Sequence, residues 1–208
     1  MRLEAYVEAC STPASPLLEA IQREAELTMV HPRMVSGHLQ GTLLSLLTQI
    51  IAPRYALELG TYVGYSTICI AAALPPEGRL TTIEMNDELE QTIRANLERA
   101  GVAERVELRI GDAVEIIQGL PIEEMQLIYL DANKAAYPEY YQLLVPRMSR
   151  GSCLLADNTL WNGKLLDATQ HDPQTEGIRY FNQLMANDAT LQKVLLPLRD
   201  GITIARKL

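Results

Sequence analysis

The chain has 208 residues, 48% of them hydrophobic, enough to enclose one sizeable core, so a single domain over 1–208 is expected. Its 26 acidic and 18 basic residues leave a formal net charge of -8, which argues against a nucleic-acid backbone or an anionic membrane surface as partner. No apolar run approaches the roughly 20 residues of a bilayer span, and Met1–Cys10 carries Glu4 and Glu8 instead of a basic-then-apolar leader, so a cytoplasmic protein is expected.

Ser15-Pro16 opens the first convincing helix, with Ser as cap and Pro at the first helical position. Leu17, Leu18, Ile21, Ala25 and Leu27 carry it to about Thr28 at helical spacing. A second helix starts at Ser36 or Gly37, presents Leu39, Leu43, Leu44, Leu47, Ile50 and Ile51, and ends at Pro53. These helices, within residues 1–52, are expected to form a cap or lid and a possible dimer contact.

From 53 onward the pattern becomes strand, turn, helix, repeated. Strands are predicted at Tyr55–Leu59, Arg79–Glu84, Arg105–Ile110, Gln126–Asp131 and Ser152–Asp157. Between them fall helices over Ser66–Leu74, from an Asp87/Glu90 capping box to Ala100, after Asp112-Ala113, and around Pro138–Met148. Alternation of this kind predicts an α/β fold, a parallel sheet with helices on both faces. After a loop (Thr159–Pro173) and a helix (Thr175–Met185), strands at Leu191–Pro197 and Gly201–Arg206 are separated only by Leu198-Arg199-Asp200. So short a connection joins antiparallel strands. A Rossmann-like sheet of seven strands, closed by one C-terminal antiparallel hairpin, is the expected architecture.

Cys10, Cys69 and Cys153 form no CxxC pair and are expected as reduced, mostly buried thiols; His31, His38 and His171 show no metal-ligand spacing.

Ligands of such sheets sit beyond the carboxyl ends of the strands, and these strands end on acids. Glu58-Leu-Gly60-Thr-Tyr-Val-Gly64-Tyr-Ser66 is a glycine-flanked turn with an acid two residues before the first glycine, not the G-x-G-x-x-G of a dinucleotide site. The acid disfavours a pyrophosphate and favours an ammonium. Glu84 can accept two ribose hydroxyls, and Asp112-Ala113 can border an adenine. Together the three acids suit S-adenosylmethionine, which has a ribose, an ammonium and a sulfonium but no phosphate. Each acid alone also reads as a residue at a helix N-terminus. Two further strands end in Asp131 and in Asp157-Asn158, with Lys134 one turn beyond the first. Two carboxylates and an amide oxygen are hard donors suited to Mg²⁺, Mn²⁺ or Ca²⁺.

Leu57–Ser66, Leu130-Asp-Ala-Asn-Lys134, Asp157-Asn158 with Trp161-Asn-Gly163, and Leu196–Lys207 appear in this order. In these four segments the chain resembles the cation-dependent, catechol-type O-methyltransferases, which include the plant caffeoyl-coenzyme A enzymes and bacterial relatives. The resemblance implies that Asp131, Asp157 and Asn158 hold the divalent ion and that Lys134 is the base, with Asp131 beside it. It places Glu58, Gly60, Tyr62 and Ser66 around the methionine part of the cofactor, Glu84 on the ribose, and Asp112-Ala113 near the adenine. Met34 and Ser36 fall near the methyl group and amino-acid end, and Gly64, Met85 and Asp131 complete the cofactor set. A homodimer is also implied. Asn133, where bacterial relatives commonly carry Asp, and Gly37-His38 depart from the family pattern, so Asn133, His38 and Trp161 are candidates for contact with the acceptor.

The expected reaction is in-line methyl transfer to a phenolic oxygen of a small vicinal diol, with both diol oxygens on the cation and Lys134, held partly neutral by like-charge repulsion, taking the proton. Trp161 reads equally as a wall for an aromatic acceptor and as core packing. Tyr137, Tyr140 and Tyr141 are expected to pack on the helix after the site or line a subunit contact. Two other readings are an NAD(P)-dependent oxidoreductase, disfavoured by the missing third glycine and the metal donors, and a non-catalytic cofactor-binding or interaction protein.

Overall fold

A computed structural model describes residues 3–208; the first two residues of the Met1–Cys10 stretch lie outside the described residues. Helices α1 (Leu3–Ala9), α2 (Pro16–Thr28) and α3 (His38–Ile51) precede the sheet. Five strands and four helices then follow in the expected alternation: β1 (Tyr55–Leu59), α4 (Tyr65–Ala73), β2 (Arg79–Glu84), α5 (Glu90–Arg99), β3 (Val106–Ile110), α6 (Ala113–Gln118), β4 (Leu127–Leu130), α7 (Tyr137–Leu144) and β5 (Cys153–Asp157). Helix α8 (Pro173–Asn187) leads to the hairpin of β6 (Leu191–Leu196) and β7 (Ile202–Lys207).

The seven strands lie in the order β3-β2-β1-β4-β5-β7-β6. Strands β1 to β5 pair in parallel, and β7 runs against both β5 and β6. The order reverses at β1/β4, so the crevice opens there, beyond Leu59 and Leu130, which pair in register. Strand residues alternate between two apolar layers, as a sheet covered on both faces requires. Leu57, Leu59, Ile128, Leu130 and Ala156 pack toward α6, α7 and α8, while Ala56, Leu80, Leu127, Tyr129 and Leu155 pack toward α2 to α5.

Helix α2 is capped by Ser15, whose hydroxyl accepts from the Leu18 amide, as the sequence predicts. Elsewhere the boundaries move for identifiable reasons. Helix α3 begins after Gly37, whose φ of 76° lies outside the helical region. The Asp87/Glu90 capping box does not form; Asn86 supplies the cap, accepting from the Glu88 amide at 3.1 Å, and residues Asp87–Leu89 turn as a 3₁₀ segment. Helix α1 carries no capping signal and was not expected. The predicted loop after β5 contains a 3₁₀ segment, Trp161–Leu166. Of the thiols only Cys69 is buried; Cys153 is half-buried and Cys10 is exposed, so the expectation of mostly buried cysteines is corrected. Among the described residues no helix is long and apolar enough to cross a membrane.

Candidate active site

A cleft of about 1050 Å³ runs along the carboxyl ends of the strands. Its floor depends on a close approach between two strand ends. Gly60 follows β1 at φ 92°, and a Cβ there would collide with the Asp131 carbonyl oxygen and lie 2.7 Å from its carbon. Only glycine fits a left-handed position pressed against another backbone. The β1 turn and the end of β4 are therefore in direct contact.

At one end of the cleft Glu84, Met85, Asp112 and Ala113 line the wall. Glu84 braces the glycine turn: its Oε2 accepts from the amides of Thr61 (3.2 Å) and Tyr62 (2.7 Å), and its Oε1 from that of Asn86 (2.9 Å). Asp112 caps α6 by accepting from the Val114 amide at 2.8 Å, so the helix-cap role is present together with its place in the wall. Gly60, Tyr62 and Ser66 form the middle, roofed by Met34 and Ser36 from the segment before α3. The Tyr62 hydroxyl donates to the His31 carbonyl at 3.2 Å, which ties that roof to the turn.

Glu58 and Gly64 stand behind this wall, not in it. Gly64 is the N-cap of α4, at φ 84°. Glu58 is fully buried; Thr67 and Thr82 donate to its Oε2 at 2.5 and 2.7 Å, and its Oε1 has no partner among the described residues. Burial pushes its carboxyl from 4.5 up to about 7, against the hydroxyl donors, which pull it down. The Ser66 hydroxyl, which lines the cleft and is the strongest influence pulling the Glu58 carboxyl down, lies between that carboxyl and the cleft.

At the other end stand Asp131, Asn133, Lys134, Asp157, Asn158 and Trp161, with Arg199 and Asp200 from the β6–β7 turn. Lys134 Nζ donates to Asp131 Oδ1 at 2.6 Å and lies 5.0 Å from the centroid of the Tyr137 ring. At 8% exposure Lys134 is no surface cation, although it pairs with Asp131. Tyr137 is buried, and its hydroxyl fixes the two strand ends by contacting the carbonyls of Leu130 (3.0 Å) and Asp157 (2.9 Å). Burial pushes the Asp131 carboxyl up to about 6; the Lys134 cation opposes this and the Asp157 charge adds to it. Asp157 Oδ1 accepts from the Asn158 amide at 2.7 Å, and Asn158 itself is left-handed at φ 56°. Two carboxylates at neighbouring strand ends, one of them paired with Lys134, with an amide side chain beside them, form an electron-rich donor set made of hard oxygens. No group of three His, Cys, Asp or Glu side chains suited to a metal occurs among the described residues, so the third protein donor would be the Asn158 amide oxygen.

Trp161 packs partly on the core and partly lines the cleft, and its indole N–H is buried without an acceptor among the described residues. Asn133 caps the 3₁₀ segment after β4, accepting from the Ala135 amide at 3.2 Å. His38 does not line the cleft; its ring nitrogen pairs with the Thr12 carbonyl. Tyr140 is buried and reaches the cleft wall, and Tyr141 bonds Asp188 at 2.7 Å.

Three site residues escaped the sequence reading: Gln40, Tyr129 and Arg199. Gln40 Nε2 lies 2.7 Å from the Tyr129 hydroxyl and 2.6 Å from Asp157 Oδ2, and Arg199 Nη1 donates to Gln40 Oε1 at 3.2 Å. The signal was available, because Gln40 interrupts the stripe that continues through Leu44 and Thr48, the buried face of α3.

Residues 8–208 match the family model described as O-methyltransferase. The chain is 39% identical over 199 residues to a catechol O-methyltransferase from Niastella koreensis, covering 91% of this chain and 88% of that protein. It is 30% identical to caffeoyl-CoA O-methyltransferase 1 from Arabidopsis thaliana, covering 97% of this chain and 82% of that one. Among solved structures it superposes with a TM-score of 0.90 on an O-methyltransferase from Bacillus cereus in complex with SAH, at 30% identity, covering 99% of this chain and 97% of the other.

Proposed function

The chain belongs to the O-methyltransferase family, and from that premise we propose that it transfers the methyl group of S-adenosylmethionine to one hydroxyl of a small vicinal-diol aromatic acceptor, in a reaction that depends on a divalent cation. One observation carries this reading. Two carboxylates, Asp131 and Asp157, stand at neighbouring strand ends beside Lys134, in the same cleft as the Glu84 and Asp112 wall.

Asp131, Asp157 and Asn158 would hold the cation, with Mg²⁺ as first choice and Mn²⁺ or Ca²⁺ as alternatives. When bound, such an ion lowers the pKa of an acceptor hydroxyl, and the sulfonium supplies an electrophilic methyl group. The chain's own residues do the rest. Lys134, the one lysine lining the cleft among the described residues, would take the proton released from the acceptor hydroxyl in its neutral form, which like-charge repulsion by a bound cation would favour over the ammonium that pairs with Asp131. Asp131 fixes its Nζ at 2.6 Å, so the base is held in place before the acceptor arrives. Glu58, behind the cleft wall, would favour the ammonium of the methyl donor by its charge, while Glu84 would take its ribose hydroxyls and the Asp112-Ala113 edge its adenine. Met34 and Ser36 close over the methyl-bearing end, and Trp161 offers a flat wall to the acceptor ring. Asn133 and the β6–β7 turn border the same space. A cytoplasmic homodimer is the setting this reading expects.

The test is a panel of vicinal diols assayed with Mg²⁺, Mn²⁺ or Ca²⁺ and with a chelator control. Methyl transfer that the chelator abolishes and added cation restores is the expected result. Turnover indifferent to chelation, or binding of S-adenosylmethionine with no transfer to any diol, would overturn it.

A further inference from the structure

We infer that Gln40 is a positioning residue for the Asp131/Asp157 donor set, acting with the Tyr129 hydroxyl as a buried bracket that holds the two carboxylates ready for a divalent cation. The inference rests on the cation-dependent reading above and adds to it two residues that do not line the cleft.

Gln40 is 2% exposed on a helix face otherwise made of Gly41, Leu44 and Thr48. Leaving such a group without partners costs about 1–3 kcal/mol, so its bonds specify its orientation. Arg199 decides that orientation. A guanidinium only donates, so the side-chain atom facing Arg199 Nη1 must be the Gln40 oxygen. The NH₂ group then faces inward, toward the Tyr129 hydroxyl at 2.7 Å and Asp157 Oδ2 at 2.6 Å. The amide is fully used, and neither end can be exchanged for the other.

Tyr129 follows from Gln40. Its oxygen receives an N–H from Gln40, so its own proton is free to point at the carboxylates. It stands 3.5 Å from Asp131 Oδ2 and 3.4 Å from Asp157 Oδ2, with its ring fully buried beneath them. One hydroxyl thus faces both acids, and Gln40 secures the second. These donors come from behind the pair. Asp131 Oδ1 and Asp157 Oδ1 are held separately, by Lys134 at 2.6 Å and the Asn158 amide at 2.7 Å. Two carboxylates this near each other would otherwise rotate apart when no cation lies between them.

The bracket also joins the N-terminal helices to the sheet, across 117 positions of sequence between Gln40 and Asp157. Gly41 allows the approach: a Cβ there would lie 2.8 Å from Cys69 Sγ and 3.0 Å from the Tyr65 ring, so α3 packs on α4 only without a side chain at this turn.

Partners that orient metal ligands from behind typically change metal affinity by about 10- to 100-fold when removed. The experiment measures Mg²⁺ affinity of the cofactor-free protein by calorimetry, alongside metal-free melting temperature and S-adenosylhomocysteine affinity. Gln40→Leu keeps most of the volume and removes the donors; Tyr129→Phe removes only the hydroxyl. We expect Gln40→Leu to weaken Mg²⁺ binding by roughly 10- to 100-fold and Tyr129→Phe by about 5- to 10-fold. S-adenosylhomocysteine affinity should move less than about threefold in both. The double variant should fall short of the product of the two effects, because Gln40 orients the Tyr129 hydroxyl. A variant with a lower melting temperature but wild-type Mg²⁺ affinity would overturn the inference, since it would make the bracket a packing feature only. If Gln40→Leu does not fold, wild-type Mg²⁺ affinity in Tyr129→Phe overturns it alone. Failure of the wild-type protein to bind any divalent cation is a different outcome and refutes the cation-dependent reading itself.

Discussion

Replacing Glu58 with Gln tests the cofactor end of the cleft without any turnover. Glu58 is fully buried and its carboxyl is pushed from 4.5 up to about 7, chiefly by desolvation. A raised acid stabilises the fold only while it stays protonated. Below about pH 4.5 it is neutral in both folded and unfolded chains and adds no pH dependence. Between there and about pH 7 the unfolded chain ionises first, and stability falls as pH rises. At about 1.4 kcal/mol per pH unit, the loss reaches roughly 3 kcal/mol by about pH 7.5. Glu58→Gln cannot ionise. Its offset from wild type, including an amide N–H₂ where Oε1 has no partner, is constant with pH. Asp131 also titrates in this range, but it is present in both proteins and largely cancels in the difference. Urea unfolding of the two cofactor-free proteins from pH 5 to 8 should therefore show the variant gaining about 2.5 kcal/mol on wild type across the window. S-adenosylhomocysteine, which carries the same ammonium, should shrink that gap by stabilising the ionised wild type and should bind the variant more weakly. Parallel stability curves would refute the raised Glu58 carboxyl, and equal S-adenosylhomocysteine binding to both proteins would refute any influence of its charge on the cofactor's ammonium.

Gly60→Ala places a Cβ against the Asp131 backbone at a φ of 92°, so it should cost about 3 kcal/mol or more and lower Tm by several degrees; a wild-type melting curve would show that the β1 turn does not press on β4. Lys134→Ala should cut turnover by about 10²-fold or more, with S-adenosylmethionine affinity within about threefold. Lys134→Arg, which keeps the charge on Asp131 but cannot give up a proton near neutral pH, should be nearly as slow. Substantial turnover in either lysine variant removes Lys134 as the base.

The sheet was legible because each strand is a short apolar run bounded by turn chemistry, and because three residues, Leu198 to Asp200, leave room only for a hairpin. Strand ends were legible for the same reason, and with them most of the acids of the cleft. What stayed hidden depended on side chains meeting across long separations. Gln40 looks like one polar residue in an apolar helix until α3 is laid over β5. Tyr129 reads as a strand aromatic, and only the pairing of β4 with β5 puts its hydroxyl between two carboxylates. The Asp87 cap failed because Asn86, one residue earlier, offers the Glu88 amide an equally short reach. His38 lay in the right segment but faces the Thr12 carbonyl, a direction no spacing rule could give.

The acids around the cleft differ in what answers their charge, and that difference says where a positive ligand is wanted. Glu84 accepts from three backbone amides, so the chain itself balances it, and it is suited to hydroxyls rather than to a cation. Asp112 is answered by the amide at the start of α6. Glu58, in full burial, has hydroxyl donors on one oxygen and no hydrogen-bond partner on the other among the described residues, although the Ser66 hydroxyl nearby also pulls its carboxyl down. Asp131 and Asp157 share one lysine, one amide side chain and one tyrosine hydroxyl between them; Asp157 is buried and Asp131 only partly exposed, on the cleft wall. Deficits of charge balance thus fall at two places, one a single carboxylate and the other a pair. A monovalent ammonium matches the first and a divalent ion the second. The same arithmetic explains why an acidic chain can hold a methyl donor that is itself cationic, without a single phosphate-binding turn at the switch point of its sheet.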